Sequence, residues 1–257
     1  MEARPEGRSR PSGTLLLLHA FPLSARMWEG QLALSETGWR VIAPQLRGMG
    51  GENRDPSAAS MDDYAADVID LLDGLHVEDA VIGGLSMGGY VTFALFRIAP
   101  RYFRGMVLAD TRPQADTPED REGRQRMLSL VRDRGMPEVA SEVLPNLLAQ
   151  DTIRGRPDCV SHVRDLIEEN SASAVEGALR AMMTRQDSTP LLTSIHCPTL
   201  IVVGEHDTVT PPSAARDMLR AVGGSELAVV PKAGHLSNLE QPKAFNEALS
   251  QFLAYRV

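Results

Sequence analysis

The stretch from Val81 to Tyr90 carries a serine in a spacing that could make its hydroxyl reactive. It contains Gly84-Leu85-Ser86-Met87-Gly88, which fits the pattern G-x-S-x-G. The pattern is typical of a sharp turn from a strand into a helix. The two elements approach each other so closely there that the residues two positions before and after the serine must have almost no side chain. Such a turn pushes the hydroxyl out of the sheet edge, at the positive end of a helix. Ser86 is therefore the candidate nucleophile.

A serine hydroxyl needs a base to take its proton, and that base is a histidine that a carboxylate holds in one tautomer. Asp207 and His235 each follow a predicted strand, so the chain order is serine, acid, histidine. Asp110 also ends a predicted strand and could reach the same histidine. We predict Ser86, Asp207 and His235 as the catalytic residues, with Asp110 as the alternative acid. The other five histidines are expected to be surface or packed residues.

Attack of a serine on a carbonyl carbon creates an oxyanion, which needs two preorganised N–H donors worth about 3 kcal/mol each. One donor should be the backbone N–H of Met87, at the start of the predicted helix. The other should be the backbone N–H of Phe21, in the loop after the first strand. Apolar side chains that could line a substrate pocket are Trp28, Met127, Leu144 and Met182, although methionines at helical spacing more often serve packing.

Short apolar runs alternate with helical patterns in two parts of the chain, which implies a parallel sheet with helices on both faces. The predicted strands are 14–18, 40–44, 79–85, 105–109, 199–203 and 226–230. Ligands of such sheets lie at the carboxyl ends of the strands. The candidate residues follow those ends, so the fold is expected to bring them together.

The alternation stops between about residues 112 and 195, where no convincing strand is found. Helical patterns there cover roughly 118–134, 137–150, 157–170 and 172–185, separated by Gly and Pro. The sequence therefore predicts three parts: a disordered tail at 1–12, an α/β core at 13–111 and 196–257, and a helical cap at 112–195.

Composition restricts the partners of this chain of 257 residues. Its formal net charge of −8, without long runs of like charge, disfavours nucleic acid or an anionic membrane as the main partner. The polar first residues lack the apolar core of a signal peptide. Cys159 and Cys197 have no metal-ligand spacing, and their separation fits a reducing cytosol. We expect a cytoplasmic monomer or homodimer that uses no metal or other cofactor.

Five motifs together resemble the α/β-hydrolase superfamily, and within it the 3-oxoadipate enol-lactonases and small bacterial carboxylesterases. They are His19-Ala20-Phe21-Pro22, Leu46-Arg47-Gly48-Met49-Gly50, Gly84-Leu85-Ser86-Met87-Gly88-Gly89, Gly204-Glu205-His206-Asp207 and Gly234-His235-Leu236-Ser237-Asn238-Leu239-Glu240-Gln241-Pro242. The resemblance implies a mostly parallel sheet of about eight strands, with the cap as a lid inserted after the sixth. It also implies a serine hydrolase that cleaves a small ester or lactone through an acyl-enzyme.

Some features depart from the resemblance or leave alternatives open. Gln45 stands where such proteins usually have aspartate, so any hydrogen bonds of that aspartate must be made by an amide or lost. The cap has no obvious arginine pair for a dicarboxylate. The same triad would serve a perhydrolase, a proline aminopeptidase or a hydrolase of carbon–carbon bonds. A binding or signalling protein that keeps a slow triad as a ligand clamp is the alternative outside catalysis.

Overall fold

Seven strands form one sheet in the computed structural model, which describes residues 1–7, 11–51 and 60–257. The strands are β1 (Glu2–Ala3), β2 (Thr14–Leu18), β3 (Arg40–Ile42), β4 (Ala80–Leu85), β5 (Phe103–Ala109), β6 (Thr199–Gly204) and β7 (Glu226–Val230). Their spatial order is β1-β3-β2-β4-β5-β6-β7; β1 runs antiparallel to β3, and every other neighbouring pair is parallel. The predicted parallel sheet is confirmed.

Continuous apolar runs form the strands in the middle of this sheet. Every residue of β2, β4 and β6 is buried. A strand that is buried along its whole length has both faces covered, which explains why these segments read as unbroken apolar runs rather than alternating patterns.

The helices follow the sequence patterns closely. They are α1 (Met61–Gly74), α2 (Met87–Ile98), α3 (Pro118–Arg134), α4 (Met136–Leu147), α5 (Gln150–Gly155), α6 (Pro157–Glu168), α7 (Ala172–Met183), α8 (Pro212–Ala221), α9 (Ser237–Glu240) and α10 (Pro242–Tyr255), with 3-10 helices at Ala25–Thr37, Pro100–Tyr102 and Thr189–Ser194. A capping box between Ser60 and Asp63 begins α1. In the described part of the chain, no helix is both long and apolar enough to cross a membrane.

Helices α3 to α7 form the cap between β5 and β6, where α3 packs on α7 and α4 on α6. Asp116, whose side chain is fully buried, joins the two ends of this segment. It pairs with Arg124 on α3 and with Arg185 beyond α7. The guanidinium of Arg185 also lies 4.1 Å from the ring centroid of Tyr90 on α2. The ionic cluster therefore joins the two ends of the cap, and Arg185 connects it to the core through the ring of Tyr90.

The beginning of the chain differs from the prediction of a disordered tail at residues 1–12. The terminal amine of Met1 donates to the carbonyl of Ala43, and Glu2 and Ala3 pair with β3. The Glu2 carboxylate accepts from Arg40. The backbone pairing that orders these residues is invisible in a polar sequence. Residues 8–10 of the predicted tail lie outside the described residues.

The number of strands also differs in detail from the expectation. The described residues contain seven strands instead of about eight, and the cap follows the fifth strand instead of the sixth. Before β2 the described residues contain only β1, a single strand of two residues.

Candidate active site

Ser86 lies at the corner between β4 and α2, with φ 55° and ψ −112°. A Cβ on Gly84 would lie 2.1 Å from the carbonyl carbon of Gly88, and a Cβ on Gly88 would lie 2.1 Å from the carbonyl oxygen of Leu18. Only glycine fits at both positions, which is the steric reason for the motif. The Ser86 side chain makes no capping hydrogen bond to α2.

The backbone of Ser86 is held in this unusual conformation by its neighbours. A non-glycine residue with positive φ costs on the order of 1–3 kcal/mol and persists only where surrounding contacts enforce it. Here the Ser86 N–H donates to the carbonyl of Ala109 at 3.0 Å, and the Thr111 hydroxyl donates to the carbonyl of Ser86 at 2.8 Å. The end of β5 therefore supports the corner.

The structure brings His235 and Asp207 into direct contact. Nδ1 of His235 lies 2.8 Å from Oδ2 of Asp207. The Asp207 carboxylate also accepts from the N–H of Val209 at 2.8 Å, the N–H of Thr210 at 2.9 Å and the hydroxyl of Thr210 at 2.7 Å. Because Nδ1 donates to the carboxylate, the neutral imidazole carries its lone pair on Nε2.

The pKa of His235 is raised and the pKa of Asp207 is lowered, which are the directions expected for a base and for the carboxylate that orients it. Burial opposes a charge on His235, but the carboxylates of Asp207, Asp110 and Glu240 outweigh it and raise the pKa of His235 above its ordinary value. Burial likewise opposes a charge on Asp207, but the His235 imidazolium and the hydrogen bonds from His235 and Thr210 lower the pKa of Asp207. The pair therefore favours a histidine that accepts protons beside an ionised aspartate.

Asp110, the alternative acid, is buried nearby but is hydrogen-bonded to other groups. Its Oδ1 accepts from the N–H of Gly204 at 2.7 Å, and its Oδ2 accepts from the hydroxyl of Ser237. Burial and the Asp207 charge raise the pKa of Asp110 to about 8. The hydrogen bonding therefore favours Asp207 over Asp110 as the partner of the histidine.

The two predicted oxyanion donors lie at the first residue of α2 and in the loop after β2. Met87 is the first residue of α2, and N–H groups in the first turn of a helix have no intrahelical partner. Phe21 follows β2 in a loop that the buried ring of His19 organises. Nδ1 of His19 donates to the carbonyl of Ala20, and Nε2 accepts from the N–H of Leu46. Burial lowers the pKa of His19 to about 4, which keeps this ring neutral.

Gln45 takes part in the same loop system. Its side-chain oxygen accepts a hydrogen bond from the N–H of Ala25 at 2.8 Å. The amide at this position therefore makes a hydrogen bond of the kind that a carboxylate could make.

A cavity of about 430 Å³ is lined mostly by cap residues, and its lining includes neighbours of the predicted catalytic residues but not Ser86, Asp207 or His235 themselves. Four of its lining residues neighbour the predicted site: Phe21 is a proposed donor, Tyr90 lies one helical turn after Ser86, the N–H of Val209 donates to Asp207, and the carbonyl of Leu147 accepts from the N–H of His235. The remaining lining residues are Arg112, Glu119, Asp120, Gly123, Arg124, Met127, Glu142, Val143, Asn146 and Leu179.

Of the four predicted pocket residues, only Met127 is among the described residues that line this cavity. Trp28 is buried in the core, with its ring 5.9 Å from that of Phe245. Leu144 and Met182 are buried within the cap. Their helices instead present Val143, Leu147 and Leu179 to the cavity. Helical spacing identified the apolar positions but could not tell which of them faces the cavity.

The cavity lining also contains two arginines, which sequence reasoning did not single out. Arg112 donates to Asp120 at 2.6 Å, and Arg124 pairs with Asp116. Both guanidinium groups are therefore already paired with carboxylates of the cap. The signal in the sequence was the cluster of Arg and Asp residues at the entry to the cap.

Comparison with known proteins places this geometry in a family. Residues 15–248 match the alpha/beta hydrolase family. The chain is 28% identical to 3-oxoadipate enol-lactonase 2 of Acinetobacter baylyi over 235 residues, which cover 91% of this chain and 86% of that protein. The match extends over most of the sequence, and the chain therefore belongs to the alpha/beta hydrolase family.

Solved structures of esterases and lactonases have the same fold. A thermophilic esterase from Thermogutta terrifontis, solved with malate bound, superposes with a TM-score of 0.92 at 36% identity. The superposed region covers 99% of this chain and 92% of the esterase chain. The enol-lactonase from Burkholderia xenovorans LB400 superposes with a TM-score of 0.88 at 26% identity, with coverages of 99% and 95%. The predicted resemblance to this family and to these two kinds of enzyme is confirmed.

Proposed function

We propose that this protein is a serine hydrolase that cleaves a small carboxylic ester or lactone through an acyl-enzyme intermediate. Its broader class, a hydrolase that acts on ester bonds, is that of the esterases and lactonases it resembles. The observations that carry the proposal are the 2.8 Å contact between Nδ1 of His235 and Oδ2 of Asp207 and the strained strand-to-helix corner that holds Ser86.

In this mechanism Ser86 Oγ attacks the substrate carbonyl while Nε2 of His235 takes its proton. The carboxylate of Asp207 stabilises the imidazolium that forms. The N–H groups of Phe21 and Met87 stabilise the oxyanion. The imidazolium then protonates the leaving alcohol or enolate. A water molecule that His235 deprotonates attacks the acyl group and releases Ser86.

The cavity supports a small substrate of mixed polarity. Its volume of about 430 Å³ falls in the usual range for small-molecule sites. Apolar side chains of Phe21, Met127, Val143, Leu147 and Leu179 line one part of it, and charged and polar side chains, among them Arg112, Asp120 and Arg124, line much of the rest. An acyl group of a few carbons with a polar substituent fits this lining.

Replacing the nucleophile tests the proposal. We expect Ser86→Ala to lower kcat for p-nitrophenyl acetate by at least about 10⁴-fold, because the remaining groups can only orient water. Steady-state hydrolysis and labelling by a fluorophosphonate measure the loss. Ser129→Ala, which removes an exposed hydroxyl on α3, is the matched control and should hydrolyse the ester at the wild-type rate.

Two results would contradict the proposed function. One is hydrolysis by the Ser86→Ala variant at the wild-type rate. The other is a wild-type protein that traps a single acyl group per chain and releases no further product, as a ligand-binding relative with a slow triad would do.

A further inference from the structure

A second buried carboxylate holds the loop that carries His235. Glu240, at the end of α9, is 1% exposed. Its Oε1 accepts from the N–H of Gly234 at 2.7 Å. Its Oε2 accepts from the N–H of Ala149 at 2.8 Å and from the hydroxyl of Thr152 at 2.6 Å. One side chain thus connects the residue before the histidine to two residues of the cap.

The same part of the cap contacts the backbone of the histidine loop directly. The N–H groups of His235 and Leu236 both donate to the carbonyl of Leu147, at 3.0 and 3.2 Å. A Cβ on Gly234 would lie 2.6 Å from the backbone nitrogen of Ala149, so the two segments are in close backbone contact. The histidine loop therefore rests on the end of α4 and the start of α5.

These contacts favour an ionised Glu240. The N–H groups of Gly234 and Ala149 can only donate, so a proton on the carboxyl group would displace one of these bonds. Burial outweighs the hydrogen bonds from Thr152, Ala149 and Gly234, so the pKa of Glu240 lies above its ordinary value, and these bonds limit the rise. A carboxylate with this many donors is costly to replace, because each buried donor would lose its acceptor.

We propose that Glu240 is a positioning residue for the reaction: it clamps the His235 loop onto cap residues 147–152, so that the cap takes part in holding the catalytic base. This inference rests on the proposed function, because it assigns His235 the role of base. It predicts that this part of the cap stays in place during turnover, since moving it would break the bonds that hold His235.

The clamp also acts on His235 through its charge. The titratable groups that act on His235 are Asp207, Asp110 and Glu240. Glu240 in turn acts on the thiol of Cys159, and Arg156 donates to the backbone carbonyl of Glu240. His235 must be neutral to act as a base, so kcat/KM rises with pH through its pKa. A negative Glu240 favours the imidazolium and raises that pKa. Removing the charge should therefore move the acid limb of the pH profile to lower pH.

The test compares Glu240→Gln with Glu247→Gln, which removes an exposed carboxylate on α10. For Glu240→Gln we expect kcat for p-nitrophenyl acetate to fall by on the order of 10- to 100-fold with KM nearly unchanged, because the base is misplaced while the cavity remains. The acid limb should also move to lower pH. The Glu247→Gln variant should keep the wild-type kcat and pH profile.

Thr152→Val provides a second variant in case Glu240→Gln does not fold. It keeps the charge of Glu240 and removes one bond to it, so kcat should fall about fivefold while the acid limb stays in place. Wild-type kcat in the Thr152→Val variant, or a wild-type kcat and pH profile in the Glu240→Gln variant, would overturn the inference. Failure of the proposed function is distinguishable, because the wild-type protein itself would then show no turnover and no labelling of Ser86.

Discussion

Two buried aspartates act on His235, and their hydrogen bonds separate their roles. Asp207 contacts Nδ1 of the imidazole and receives two N–H groups and a hydroxyl from its own loop. Asp110 is hydrogen-bonded to Gly204 and Ser237 instead, and it raises the pKa of His235 only to the extent that it is ionised. Strand position made both residues candidates, with Asp207 the predicted acid and Asp110 the alternative, and the hydrogen bonds of the two carboxyl groups favour that prediction.

Replacing each aspartate by asparagine tests this distinction. Asp207→Asn should lower kcat by about 10⁴-fold, because the amide cannot hold the tautomer that carries its lone pair on Nε2. Asp110→Asn should lower kcat less than about tenfold, because the amide oxygen can still accept from Gly204 and the hydroxyl of Ser237 can reverse its bond. Steady-state hydrolysis of p-nitrophenyl acetate measures both variants. A larger loss for Asp110→Asn would make Asp110 the acid of the triad.

At the scale of elements, the position of Ser86 depends on how closely β2, β4 and α2 approach one another. The backbone of Gly88 lies against the end of β2, and Gly84 lies against Gly88. Neither position has room for a methyl group. The corner therefore depends on the packing of three elements. This packing requires glycine at positions 84 and 88, which explains the local motif.

Gly88→Ala tests the packing of the corner. The added Cβ would meet the carbonyl oxygen of Leu18 at 2.1 Å, so we expect a loss of at least about 3 kcal/mol in the free energy of unfolding. Chemical denaturation measures this loss. Gly74→Ala, at the end of α1 with no atom within 4 Å of the added Cβ, should stay within about 1 kcal/mol of wild type. Equal stabilities of the two variants would contradict the steric explanation.

At the scale of the whole molecule, two buried polar side chains join the cap to loops of the core. Glu240 holds it to the histidine loop. Asn170, which follows α6, holds it to two loops at the carboxyl ends of β2 and β3. Its Nδ2 donates to the carbonyl of Pro22 at 2.8 Å, and its Oδ1 accepts from the N–H of Gly50 at 2.7 Å. The loop that carries Phe21 therefore also rests on the cap.

Asn170→Ala tests how strongly this contact holds the cap. It leaves a buried carbonyl and N–H without this partner, so we expect unfolding to become easier by about 1–3 kcal/mol. Hydrogen exchange should become faster in α6, α7 and the Phe21 loop. Gln125→Ala, on an exposed part of α3, is the control and should change neither quantity. Unchanged exchange in the cap of the Asn170→Ala variant would show that the contact does not restrain it.

The sequence alone was sufficient for the features that depend on neighbouring residues. The buried strands and the cap helices α3, α6 and α7 are each encoded in a run of about 4 to 17 residues, and the structure confirms them. The family resemblance rested on short motifs of the same kind and is also confirmed. The order of Ser86, Asp207 and His235 was equally readable, and their catalytic roles stay predictions.

Only the tertiary structure decided the features that depend on segments distant in sequence. These are the pairing of β1 with β3, the hydrogen bonds of Asp110 and Asp207, the residues of the cap that face the cavity, and the contacts of Glu240 with residues 149 and 152. Trp28, Leu144 and Met182 show the reason. An apolar residue at the right spacing is buried in either case, and whether it faces a cavity or another helix depends on the packing of elements that are far apart along the chain.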